Sequence, residues 1–154
     1  MYQRYSTPVN FKILQIITLV LPGGATLFLF TVFFLNQDRL VLMPGDENSL
    51  IVYVALAFGA VFSIVSNVLF KSLLGRIDTS VAAKEKFQKY VAAYIMRYAL
   101  IEGAALFNMA VFLLSACLLN AIMAMALILF MLAVRPQRNK TIEDLKIYYP
   151  DTLE

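Results

Sequence analysis

Four side chains hold most of the chemical potential in the apolar part of this chain: Glu102, Arg97, Asn108 and Asn67. Three of them fall in "RYALIEGAALFN", Arg97 to Asn108, between "VAAYIM" and "MAVFLLSACLL". A carboxyl in such a setting either carries a proton or cation through a membrane or fixes helix register with a hydrogen bond. At the centre of a membrane helix an ionisable group costs about 2.5–3.5 kcal/mol on insertion scales, and less towards the interface. Three arrangements offset that cost. Glu102 is protonated, or it is ionised and paired, most simply with Arg97 or Lys12, or it faces a wet cavity or a partner subunit. Arg97 and Glu102 are five residues apart, about 140° around a helix, whereas Arg97 shares its face with Asn108. A partner for Glu102 from another helix or another chain is therefore the natural one. Carriers of the rotary proteolipid kind are dense in glycine for ring packing, and this chain has only six glycines. The residues favour a structural acid.

The elements that position these groups are legible in the composition. Of 154 residues, 61% are hydrophobic and 15% charged, against about 25% charged in soluble domains; the mean hydropathy is +0.76. The apolar runs are Phe11–Leu35, Leu50–Leu74, roughly Tyr94–Ala116, and Leu118–Val134. A helix needs about 20 residues, with about 17 as a lower limit, to cross a ~30 Å hydrocarbon layer. The expected fold is all-α, a single four-helix transmembrane domain. Its helices span approximately 11–35, 50–74, 80–116 and 118–135, with a tail at 136–154. The last two helices share "SACLLNA" as their only turn. The first run is too long for the apolar part of a secretion signal and lacks a small-x-small cleavage pattern, so it reads as a retained helix. Counting back about 20 residues from Ser115 places Met96 at the membrane boundary, Arg97 among the headgroups and Glu102 roughly 9 Å deeper.

Charge sets the expected topology. Twelve of the thirteen Lys and Arg lie on one side if both termini are cytoplasmic, with only Arg39 opposite, as the positive-inside bias predicts. One cysteine, Cys117, excludes an internal disulfide. The chain has no histidine, which removes His-ligated haem, most zinc and copper sites and the commonest general base. No cofactor, metal or nucleic acid is expected.

Local motifs add five expectations. Pro22-Gly23-Gly24 in "LPGGA" predicts a kink or local break in the first helix, since proline removes a backbone donor. Its freed carbonyls would be satisfied by neighbouring helices, because transporters with discontinuous helices pair two such breaks. Ala55, Gly59, Ser63 and Asn67 lie at four-residue spacing on one stripe, a helix-packing face within the chain or towards a partner. Asp78 or Ser80 is the expected N-cap of the third helix, with Glu85 and Lys89 an i,i+4 pair. Tyr90, Tyr94 and Tyr98 share one side of that helix and read as interfacial anchors. In the tail, Thr141 and Asp144 form a weak helix start, and Ile142, Leu145 and Ile147-Tyr148 are expected on the cytoplasmic end of the third helix.

"KEKFQKYVAAYIMRYALIEGAALF" followed by a short hairpin and "LILFMLAVRPQRNKTIEDL" resembles a family of small four-helix membrane proteins from Bacteroidota. The likeness spans helices two to four and the tail, more weakly helix one. Its distinctive core is Arg97-Tyr98-Ala99-Leu100-x-Glu102-Gly103. The family pattern favours Pro at the position of Ala104 and Thr at that of Gln137. The resemblance implies a host and a topology and carries no activity.

The expected function is a non-catalytic inner-membrane protein, an accessory subunit or scaffold that contacts the bilayer and other membrane subunits or itself. The alternative is a small ion- or proton-coupled transporter or channel component using Glu102. A lipid enzyme ranks last, because catalysis needs two or more positioned polar groups and no catalytic motif links the four candidates.

Overall fold

The computed structural model describes residues 11–78 and 81–145. In chain order it contains α1 (Phe11–Asn36), a 3-10 turn at Gln37–Arg39, α2 (Ser49–Gly75), α3 (Ala83–Ser115), α4 (Leu118–Ala133) and α5 (Arg138–Leu145). The described residues form no strand; one isolated bridge joins Val41 to Cys117. Three segments are long and apolar enough to cross a membrane: α1 with its terminal turn, α2 and α3. With 16 residues, α4 is about 24 Å long. It makes a fourth span only when taken with α5, from which it is bent by 68°. The described residues are thus all-helical, with three or four helices long and apolar enough to cross a membrane, as in a multi-pass membrane protein.

These helices are apolar on all sides because their outer faces meet hydrocarbon rather than water. Leu27 and Leu50 are 72% and 76% exposed, which a soluble helix would penalise and a membrane helix requires. The core is built around α3, which packs against α1, α2 and α4. At 33 residues, about 50 Å, α3 is longer than the hydrocarbon is thick. Its first turns therefore project beyond the bilayer. There Glu85 and Lys89 form an exposed ion pair at 2.8 Å.

At the other end the fold is tied by backbone and by two polar side chains. Ala116 adopts a left-handed conformation (φ 54°) and its N–H bonds the Phe112 carbonyl at 2.8 Å, closing α3 and reversing the chain into α4. The segment after α1 docks on this turn. Val41 N–H donates to Ala116 O, and Leu118 N–H donates to Val41 O. Asn36 Nδ2 donates to Phe112 O at 2.8 Å and Arg39 Nη2 to Leu113 O at 2.9 Å, while Arg39 Nε holds Asn36 Oδ1 at 2.8 Å. Asn36 thus adds a second bond to the Phe112 carbonyl and Arg39 supplies a donor to that of Leu113 in the last turn, and a cation there complements the helix dipole.

Several expectations change. α1 runs through Pro22-Gly23-Gly24 without a break. Proline leaves the Thr18 carbonyl without its usual donor, but one missing bond does not end a helix surrounded by hydrocarbon. Both glycines face open space, so neither is needed for a close approach. α3 begins at Ala83 rather than near 80. Ala82, not Asp78, occupies the N-cap position, with no side-chain bond; Ser80 lies outside the described residues. Tyr90, Tyr94 and Tyr98 are buried (0–4% exposed) and are core residues, not interfacial anchors. In the tail, α5 starts three residues before Thr141 and lies on α3, with Leu145 buried and Ile142 packed on the core. Ile147 and Tyr148 lie outside the described residues.

Candidate functional site

The polar residues of the spanning region fall into three groups. The first is closed on itself near the α3–α4 turn. Asn108 Nδ2 donates to Ala55 O on α2 and to Ala104 O one turn back on α3, both at 2.9 Å. Asn120 Nδ2 on α4 donates to Asn108 Oδ1 at 3.0 Å. Both amides are fully buried. Gly59 permits this meeting of three helices: a Cβ at that position would stand 3.0 Å from Met123 Cγ and 3.1 Å from Asn108 Nδ2. Only Asn120 Oδ1 is left without a partner. The group locks α2, α3 and α4 in register and leaves no polar edge facing outwards.

The second group surrounds Arg97. Nη2 of the half-buried guanidinium donates to Asn67 Oδ1 on α2. Its carbon lies 4.7 Å from the ring centre of Phe70 on α2 and 6.0 Å from that of Phe130 on α4. The buried tyrosines stack beside it, with Tyr94 edge-on to Phe70 at 4.6 Å and Tyr90 at 5.0 Å from Tyr94. Tyr98 OH donates to Met131 O on α4 at 2.8 Å. Thr141 Oγ1 donates to Tyr90 OH at 3.0 Å and so latches α5 to α3. Arg97 does not snorkel outwards. It spans the gap between α2 and α4, where aromatic faces and an amide oxygen receive its charge.

The third group is Glu102 alone. It is half-buried on α3 and makes no hydrogen bond or ion pair with any described residue. The expected pairing with Arg97 does not occur, since the guanidinium is committed to Asn67 on another face. Nor does Glu102 fix register within the chain, which Asn108 and Asn120 do instead. The carboxyl does not line either main cavity. One, of about 380 Å³, lies between α2 and α3 and is walled by residues including Phe58, Phe62, Gly103 and Phe107. The other, of about 490 Å³, lies between α1 and α4 and is walled by residues including Phe30, Phe33, Met125 and Leu129. Both are apolar.

Of the four candidates only Arg97 and Asn67 touch. The stripe Ala55, Gly59, Ser63 and Asn67 faces the bundle interior: Ala55 and Gly59 meet Asn108, Ser63 bonds back to Gly59 O, and Asn67 meets Arg97. Sequence reasoning missed Asn120, Asn36 and Arg39. An asparagine on each side of the hairpin turn, and a lone arginine just past the end of α1, were the available signals. Among the described residues no group of His, Cys, Asp and Glu is arranged to hold a metal. No protein-family model, curated protein or solved structure matches this chain.

Proposed function

We propose that the chain is a non-catalytic integral membrane subunit or scaffold, an accessory piece of a larger inner-membrane assembly or a homo-oligomer, with both termini cytoplasmic. The carrying observation is Glu102. The asparagines of the bundle find partners inside the chain, whereas this carboxyl is half exposed and unpartnered among the described residues. A carboxyl at the hydrocarbon is costly without a hydrogen-bonding partner, and another protein chain can supply one. The charge distribution supports the orientation, and the separation of the polar groups supports a non-catalytic role. The chain's likeness to small four-helix proteins of Bacteroidota agrees with this host and topology.

Extraction from native membranes in mild detergent tests the proposal. The wild-type chain is expected to elute with a partner or as an oligomer, and Glu102→Leu to release it. A clean, stable wild-type monomer counts against the scaffold. The same unpaired carboxyl favours one second reading, an ion- or proton-coupled transporter component using Glu102. That reading expects Glu102→Gln to abolish flux in proteoliposomes while the protein still inserts; unchanged flux ends it.

A further inference from the structure

Arg97 is a built cation site without an anion. Its receivers are all neutral: the Asn67 amide oxygen and the rings of Phe70 and Phe130. No carboxylate of the described residues pairs with it. Of its three nitrogens, Nη2 is used by Asn67 and Nε is enclosed without a partner. The side chain is only half-buried, so an incoming group can reach the guanidinium.

Position along the helix says what that group meets. Arg97 lies eighteen residues before Ser115, roughly 27 Å along α3, which is close to the full ~30 Å of hydrocarbon. The guanidinium therefore sits at the level of phospholipid phosphates. The neighbouring helices end their apolar stretches at the same level and in the same sign. Lys71 follows Phe70 directly on α2, and Arg135 follows Met131 by four residues at the end of α4; both are exposed. A guanidinium held 4.7 Å from an aromatic ring centre and bonded to an amide oxygen offers a fixed fork of donors, which suits the oxygens of a phosphate better than a freely rotating ammonium does.

We propose that Arg97, oriented by Asn67 and Phe70, with Lys71 and Arg135 following the residues that cover it on α2 and α4, binds a phosphate group. The phosphate belongs either to an anionic phospholipid or to a free phosphate-bearing anion. The site goes beyond the scaffold reading and does not depend on Glu102.

The test uses the full chain, delipidated in a neutral detergent. Phosphatidylglycerol, phosphatidylcholine and inorganic phosphate are added separately, with retained adducts read by native mass spectrometry and the unfolding midpoint followed in parallel. Phosphatidylglycerol is expected to be retained and to raise the midpoint, and phosphatidylcholine to do neither. Competition by millimolar inorganic phosphate identifies a free anion as the ligand; indifference to it identifies the lipid. Arg97→Lys keeps the charge and loses the fixed fork, so at least tenfold weaker retention is expected, and Arg97→Gln should abolish it. Asn67→Ala leaves Arg97 in place but unoriented and should weaken retention several-fold, which keeps the test alive if Arg97→Gln does not fold. Equal retention of both lipids overturns the proposal. So does unchanged phosphatidylglycerol retention in Arg97→Lys and Asn67→Ala, or no retention of any of the three probes.

Discussion

Asn108 and Glu102 stand six residues apart on one helix, and the bundle treats them in opposite ways. Asn108 is enclosed, with both amide hydrogens given to backbone carbonyls and its oxygen taken by Asn120. Glu102 is half exposed and bonds to no described residue. An amide suits a helix interior because backbone carbonyls and a second amide can meet all its needs. A carboxylate needs donors, and helix interiors have already spent theirs on their own backbone. The contrast separates two kinds of polar group in the same span. One kind is closed inwards and holds the helices together. The other is open outwards and implies something beyond the chain.

The contrast is sharpest where the closed group is most tightly packed. Gly59→Val would drive side-chain atoms into Met123 and Asn108 at distances already near 3.0 Å for a Cβ alone. Overpacking of this kind costs about 1–3 kcal/mol, and the upper end is expected here because α2, α3 and α4 meet at this point. Unfolding in detergent against a rising fraction of denaturing surfactant measures it. A neutral result would mean that the three helices are not locked at Gly59. Asn108→Ala comes next. It removes the bonds to Ala55 and Asn120 and leaves Asn120 Nδ2 with a weak contact to Val52 O at 3.5 Å. Interhelical bonds in membranes average about 0.6 kcal/mol with a maximum near 1.7, and a buried orphan adds about 1–3. A loss of about 2 kcal/mol is expected in the same assay.

How much of this was readable beforehand depends on whether a feature is local. α1 and α2 match their apolar runs to within one residue at each end, because Asn36 and Gly75 end the hydrophobic pattern and the helix together. The start of α3 was displaced by three residues, since its projecting turns carry Lys84, Glu85, Lys86 and Lys89, which leave no hydropathy edge. α4 stops at Ala133, two residues early, because Pro136 pushes Arg135 away from helical geometry. The spacing of Tyr90, Tyr94 and Tyr98 showed that they share a face but not that Phe70 and Met131 cover it. Likewise, nothing periodic marks the bond between Arg97 and Asn67, thirty residues apart on different helices. Composition and period reveal faces; which face meets which is settled only when the helices pack.

Glu102→Leu should have the smallest effect on the isolated chain and is the most direct way to break the contrast. The side chain makes no bond with a described residue, so its removal takes nothing from the bundle. An apolar side chain at a lipid-facing edge replaces an acid that costs free energy there. The purified chain should change by no more than about 0.5 kcal/mol, in the stabilising direction, as surface substitutions without partners do. In native membranes the same substitution should release whatever the wild-type chain holds. Stability kept and association lost would assign Glu102 to an external contact. A destabilisation of the purified chain as large as that of Asn108→Ala would instead mean that the carboxyl has a partner inside the bundle, and the two residues would then belong to the same class.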